Sequence, residues 1–354
     1  MTTMNRRIFS MILALLAAGP PAASAGLVNL GTANDDNVFV LGNDSQSGSD
    51  AQGRVAVGGN ATFSGGFAIA TSRGGSTTTN LVVGGNYSNT YNTVNGNVVV
   101  GGNATINGPT INGNLSVGHS LTLTGYGSIN GNVTYGSSIS NPNTTVHGST
   151  GQGTVASPIN FAAEQTYLTG LSTALAALSS TGTVVDSYGQ LTLTGSNSLF
   201  DVFHVKGSDL SAANRFTIDA PAGATVVVDV DGTVDRMANF GFSLNGVDRQ
   251  HVLFNFSAAT SLSLSGIGIK GSILAPSAAV AFNNGNIDGT LVAGSLTGNG
   301  ESHDFQFLGD LSPGVGSSFM PSAAGVPEPA TIISTAIGLA LVGLGSRKRA
   351  RRAS

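Results

Sequence analysis

Val94-Asn95-Gly96-Asn97-Val98-Val99-Val100-Gly101 returns as Ile111-Asn112-Gly113-Asn114-Leu115-Ser116-Val117-Gly118, and again as Ile129-Asn130-Gly131-Asn132-Val133-Thr134-Tyr135-Gly136. The step from Asn97 to Asn114 differs from the step from Asn114 to Asn132 by a single position. A nearly fixed period with the same apolar, turn and polar positions each time marks a repeat architecture. Alternation puts Val98 and Val100, Leu115 and Val117, Val133 and Tyr135 on one face, with Val99, Ser116 and Thr134 opposite. Period two means strands, and Asn-Gly pairs supply the left-handed backbone that sharp corners need. A second strand signal follows at matching offset, Ala104-Thr105-Ile106 against Leu121-Thr122-Leu123.

These features predict an all-β fold, a β-solenoid (β-helix) of about 17–18-residue rungs. Asn97, Asn114 and Asn132 then stack as a ladder with a structural role. Worn copies at Ile269-Lys270-Gly271-Ser272-Ile273 and Ile287-Asp288-Gly289-Thr290-Leu291 extend the same domain. Val-Gly-Gly-Asn turns at Gly58, Gly84 and Gly101 have no helix pattern behind them, and so lack the helix N-terminus that holds a phosphate.

Between the two sets lies a different period. Phe161, Leu168 and Leu175 recur every seven residues, as do Leu171 and Leu178, after Pro158 and a capping Asn160. One long α-helix, about residues 160–179, is expected to pack alongside the solenoid through this Leu stripe.

Composition narrows the chemistry. The 354 residues include 51 Gly, no Cys, no Trp and only 9% charged side chains. Lack of Cys removes thiol nucleophiles, thiolate metal sites and iron–sulfur clusters. The basic residues crowd both ends, leaving seven basic against 17 acidic residues between positions 26 and 326. Such a body repels a phosphate backbone, so nucleic acid is not an expected partner.

The termini read as export machinery. Arg6-Arg7, the apolar run Ile8 to Ala18 and the small residues Ala23 and Ala25 form a signal peptide over residues 1–25, cleaved after Ala25. The solenoid domain follows over 26–311 and a weakly patterned linker over 312–326. The tail, 327–354, begins at the Val326-Pro327-Glu328-Pro329 stretch, continues as an apolar segment over 330–345 and ends in a basic cluster led by Arg347, Lys348 and Arg349. Sixteen residues of helix cover about 24 Å, close to a hydrocarbon core of ~30 Å, so a C-terminal transmembrane helix is expected in the precursor. Its cationic end stays cytoplasmic.

That three-part tail resembles the PEP-CTERM sorting signal of Gram-negative bacteria. The resemblance implies an exosortase-type membrane protease as partner, attachment to the membrane through the tail, and a host that makes an exopolysaccharide. The body resembles the choice-of-anchor A family of bacterial adhesive domains, through Ser49-Asp50-Ala51-Gln52-Gly53-Arg54-Val55-Ala56-Val57-Gly58-Gly59-Asn60, Ile273-Leu274-Ala275-Pro276 and Gly300-Glu301-Ser302-His303-Asp304-Phe305. Its solenoid-plus-helix plan is also similar to ice-binding and other adhesive bacterial β-solenoids.

Two polar constellations are candidates for chemistry. Glu301, His303 and Asp304 form the densest titratable cluster, suited to capping the last rung, binding a cation or catalysis. Asp229, Asp231 and Asp235 alternate around Gly232 as in a calcium loop, without the closing Glu of an EF-hand. Calcium is the one cofactor this pattern suggests, against a plain rung corner. No catalytic residues are assigned. The functional expectation is a non-enzymatic protein of the outer surface or extracellular matrix, an adhesin presenting outward Ser, Thr and Asn such as Ser116 and Thr134 to an exopolysaccharide or surface glycan. The alternatives are a carbohydrate-active β-helix enzyme, lyase or hydrolase, and a purely structural matrix protein that associates with itself.

Overall fold

Strand Asn97–Val100 pairs in parallel with Thr79–Val83 on one side and Leu115–Val117 on the other, placing Val98 beside both Leu81 and Leu115. The computed structural model describes residues 27–73, 75, 77–316 and 319, and this parallel step is its building rule. Each rung contributes a strand to each of three faces. The first face carries Val55–Val57, Thr79–Val83, Asn97–Val100, Leu115–Val117 and Val133–Tyr135. The second carries Ala61–Ser64, Tyr87–Thr90, Ala104–Asn107 and Leu121–Thr124. The third carries short strands such as Thr93–Val94, Thr110–Ile111 and Gly127–Ile129. Inward positions of all three, including Val98, Val100, Ile106, Ile111, Leu115 and Leu123, are fully buried in one core. The β-solenoid architecture is therefore present.

The corners explain the Asn and Gly content. Asn97 Oδ1 accepts the Asn114 N–H at 2.8 Å, and Asn114 Oδ1 accepts the Asn132 N–H at 2.8 Å. A parallel ladder runs through Asn43, Asn60, Asn86 and Asn103, each side-chain oxygen taking the next rung's backbone N–H. A third is amide on amide, Asn112 Nδ2 donating to Asn95 Oδ1 and Asn130 Nδ2 to Asn112 Oδ1, each at 2.8 Å. Backbone groups that the corner withdraws from the sheets are thus satisfied one rung at a time. At Gly101 a Cβ would stand 2.5 Å from the carbonyl oxygen of Gly84, so the Gly-Gly-Asn turns stack only as glycine.

Rung order does not follow chain order. Val38–Val40, the first rung, pairs with Val55–Val57 on one side and with Leu291–Gly298, the last, on the other. The chain starts in the middle of the stack and winds outward to Thr150–Gln152. It then re-enters at Phe200–Lys206 and winds back through Thr225–Asp231, Val252–Asn255 and Ser272–Asn283 to meet its own beginning. Two arms meet at one seam. The late arm is wider at its outer end, where Phe200 pairs with Thr225 and Val226 with Val252, and narrows toward the seam, where Ile273 pairs with Leu291. Its third side includes a four-stranded sheet with one antiparallel strand, Thr183–Ser187 against Gln190–Thr194.

Helix Phe161–Ala176 crosses the seam along the first face. The Asn160 side chain accepts the Ala163 N–H at 3.2 Å and Glu164 sits in the first turn. Leu168, Leu171 and Leu175 are buried in a second apolar layer with Phe39, Ala56, Val82, Leu253, Leu274 and Val292, outward positions of the first face. Those strands therefore read as continuous apolar runs because both their sides are covered. Ser172 and the fully buried Asn255 fasten the layer, Ser172 Oγ donating to Asn255 Oδ1 at 2.6 Å and Asn255 Nδ2 to the Ser172 carbonyl at 2.9 Å.

The expected linker does not begin at residue 312. Ser312–Val315 forms a helical turn, the Leu311 N–H donates to Val28 O at 2.8 Å, and Ser312 Oγ accepts the Val28 N–H at 3.0 Å. Among the described residues no helix is long and apolar enough to cross a membrane. The signal peptide with Ala23 and Ala25, the remainder of the linker, and the tail with Val326, Pro327, Glu328, Pro329, Arg347, Lys348 and Arg349 lie outside the described residues.

Candidate functional site

The two candidate clusters have different fates. Asp229 and Asp231 lie at the end of strand Thr225–Asp231 and Asp235 at the start of Val234–Ala238, on either side of the Gly232 corner; Asp229 turns away to its own partners, whereas Asp231 and Asp235 both stand beside Gly207. Asp229 Oδ1 accepts from Asn255 Nδ2 at 2.7 Å and its Oδ2 lies 3.3 Å from His204 Nδ1. Asp231 Oδ1 accepts the Gly207 N–H at 2.8 Å. Asp235 is buried beside the Gly232 turn, where burial, then the nearby Asp231, raises its carboxyl above the ordinary range. Among the described residues, no group of three His, Asp or Glu side chains is arranged to hold a metal ion.

Glu301, His303 and Asp304 are neighbours in sequence that the structure divides between two tasks. Arg73 grips Asp304 with both nitrogens, Nε to Oδ2 at 2.7 Å and a terminal amine to Oδ1 at 2.9 Å. His303 turns the other way, with Nδ1 2.6 Å from Asp288 Oδ1 and Nε2 3.1 Å from Glu301 Oε1. The nearly buried Asp288 also bonds Arg249, accepts from Asn286 Nδ2 at 2.9 Å and lies 3.9 Å from Lys270 Nζ. The sequence reading missed Asp288 as the hub. Its signal was present, since Ile287-Asp288-Gly289 puts a carboxylate where the early phrases have Asn112 and Asn130.

The Arg73–Asp304 pair ties the early arm to the last rung, whereas the Asp288 cluster fastens rungs within the late arm. Ala51 pairs with Ser302, and the Gln52 N–H donates to the Ser302 carbonyl at 2.8 Å. Fully buried Asn37 donates to the carbonyls of Gly289 (2.9 Å) and His303 (2.8 Å) and accepts the Gly53 N–H at 3.1 Å. Ser49–Asn60 and Gly300–Phe305, quoted above as opening and closing motifs, are where first and last rungs lock together.

A different surface is organised for contact. On the second face every other side chain points outward, and register aligns them rung after rung. Ser45, Thr62, Ser88, Thr105, Thr122 and Ser140 form one column. Beside it Thr90, Asn107 and Thr124 form another, in line with the paired Ser47 and Ser64. Strand neighbours stand about 4.8 Å apart, so the face is a regular lattice of hydroxyls and amides. Inward partners such as Phe63, Tyr87, Ile106 and Leu123 are buried and fix its backbone. Ser116 and Thr134, the outward positions singled out from sequence, are instead half-buried on the first face, the one the helix covers. A family model described as "Putative Ice-binding-like adhesive domain" matches residues 29–116 and 80–304. The chain belongs to this adhesive-domain family. Both arms and the seam of the adhesive domain fall within the match. No curated protein and no solved structure matches the chain.

The charge map gives a signal that a motif search passes over. Residues 74–163 contain no Asp, Glu, Lys or Arg. Most of the early arm therefore offers a partner hydrogen bonds and no ionic contact.

Proposed function

We propose that this chain is a non-enzymatic adhesin of the cell surface or extracellular matrix, and that the second face is its contact surface. The observation carrying this reading is the register-aligned lattice of Ser, Thr and Asn on a face that no helix covers among the described residues. Many weak, regularly spaced hydrogen bonds suit attachment to an extended polymer such as an exopolysaccharide, where multivalency supplies the strength that one contact lacks. Asp304 is occupied in closing the seam with Arg73, and His303 and Glu301 in the late-arm cluster around Asp288, which supports a structural role for them over a catalytic one. The choice-of-anchor A resemblance and the PEP-CTERM-like tail support export in a Gram-negative bacterium and sorting by an exosortase-type protease, with Pro327, Glu328 and Pro329 as the recognition point.

The test uses cells displaying the full-length chain. Thr105→Lys with Thr122→Lys places two bulky cations on the lattice, and attachment to host exopolysaccharide is expected to fall by about tenfold or more. Thr93→Lys with Thr110→Lys, on the third face, is expected to leave it unchanged. Equal behaviour of the two pairs would sink the assignment of the face. Fractionation of cells carrying Pro327→Ala and Glu328→Ala tests the sorting reading, which predicts a change in where the chain accumulates.

A further inference from the structure

Two tyrosines on one ridge of the early arm are left largely exposed by the fold. The ridge is the corner between the second and third faces. There the stacked positions after Ser47, Ser64, Thr90, Asn107 and Thr124 are Gly48, Tyr91, Gly108 and Gly125, with Gly65 between the first two. All take the left-handed backbone, the glycines at φ +60 to +68 and Tyr91 at +56. Four of five rungs supply the residue this conformation favours; the fifth supplies a tyrosine, which is strained there. Burial does not compensate, for Tyr91 is 64% exposed. Its ring lies across the next rung, and a Cβ on Gly108 would sit 2.5 Å from two of its ring carbons.

The second tyrosine accounts for the irregular period. Thr105 aligns with Thr122, whereas the step from Thr110 to its partner Ser128 is longer by one position. The additional residue falls at Gly125-Tyr126, on the same corner, and Tyr126 is 83% exposed. A strained tyrosine and an inserted one thus stand two rungs apart, about 9–10 Å along the axis, at the rim of the hydroxyl lattice.

We propose that Tyr91 and Tyr126 form a stacking platform for an uncharged polysaccharide lying along the ridge, with its hydroxyls on the second-face lattice. This rests on the adhesive reading above and names the class of polymer. Tyrosine offers a flat apolar ring at low entropy cost, with a polar tip that remains wet. A sugar ring has the matching apolar face, and the repeat of an extended β-linked disaccharide is close to two rungs. Charge selects the class, because residues 74–163 hold no counter-charge for an anionic or cationic chain.

The experiment measures binding of cellohexaose, and of an acidic hexauronate as the charged comparison, to the full-length chain and to Tyr91→Gly and Tyr126→Ala. Cellohexaose is expected to bind and the hexauronate at least about tenfold more weakly. Each substitution is expected to weaken cellohexaose by about tenfold, ~1.4 kcal/mol. Tyr91→Gly should at the same time raise the melting temperature, since the left-handed strain is relieved; a fold-supporting tyrosine would lower it. Tyr126→Ala, whose backbone is unstrained, gives the same binding readout without that change. Unchanged cellohexaose affinity in both variants, or no binding by the parent chain, overturns the platform. If attachment is still lost with Thr105→Lys and Thr122→Lys, the adhesive reading survives that result; if it is not, both fall.

Discussion

The two arms of the solenoid follow one winding rule with different materials. The early arm uses rungs of 17 or 18 residues, with one step of 26 from Val55 to Leu81, together with corner glycines and ladders of neutral amides. The outer part of the late arm uses wider rungs and large rings: Phe216, Phe240, Phe242 and Phe254 form a connected cluster with centroids 5.2–6.4 Å apart. The corner filled by Asn95, Asn112 and Asn130 early is filled late by Lys270, Asp288 and His303, which align in register. A short rung leaves room only for side chains that are core or corner, so each contributes little and the array must be regular. A wide rung encloses enough volume for aromatics, whereas the charged corner sits on the narrower rungs next to the seam, 18 residues from Lys270 to Asp288 and 15 from Asp288 to His303. Regularity suits the face proposed to bind, and bulk suits the part that only has to hold.

That contrast can be tested by substitution. Phe254→Ala removes a fully buried ring that meets Phe216 at 5.8 Å and Phe242 at 5.7 Å, and should cost about 3–5 kcal/mol in denaturant unfolding. A loss below ~2 kcal/mol would mean that the late arm does not depend on its aromatic cluster. Next comes a proton. Asp44 points into the core, where burial pushes its carboxyl up to about 8 against the bond from Gln46. Asp36 is pushed up to about 7 by burial, with Arg54 opposing. Unfolded carboxyls ionise near pH 4, so between about pH 4 and 8 the folded chain holds more protons and its stability falls as pH rises. Asp44→Asn should flatten the Asp44 part of that slope and stabilise the chain by about 2 kcal/mol at pH 8; an unaltered slope in melting temperature would refute it. The smallest effect belongs to the ladders. Asn114→Ala leaves the Asn132 N–H without its acceptor and should cost about 1 kcal/mol. A cost as large as that of Phe254→Ala would erase the distinction between the arms.

What the sequence disclosed was what repeats locally. Val98, Leu115 and Val133 carry the strand period, Phe161 to Leu178 the helical one, and the Asn-Gly pairs the corners. The seam was not legible, because Val38 pairs with Val55 in the following rung and with Leu291 near the far end of the domain, and no periodicity reports the second. Ser116 and Thr134 looked available because alternation tells inside from outside without telling the first face, part of which the helix covers, from the second. The Thr105 and Thr122 strands were recognised as strands, yet their face acquires meaning only when six rungs align. Asp304 and His303 are adjacent in sequence but diverge, since the strand ends at His303 and Asp304 lies in the bend that follows.

The seam has a mechanical consequence. The described chain begins at Leu27 and its last rung leads to Leu311, where Leu311 bonds Val28 within the layer between helix and first face. Tension entering beyond Leu311 is therefore delivered at the waist of the beam, where helix, first rung and last rung are fastened together, and neither arm is loaded from its tip. Each arm is a cantilever. A ligand bound along the early arm would pull across a row of parallel strands that share the load.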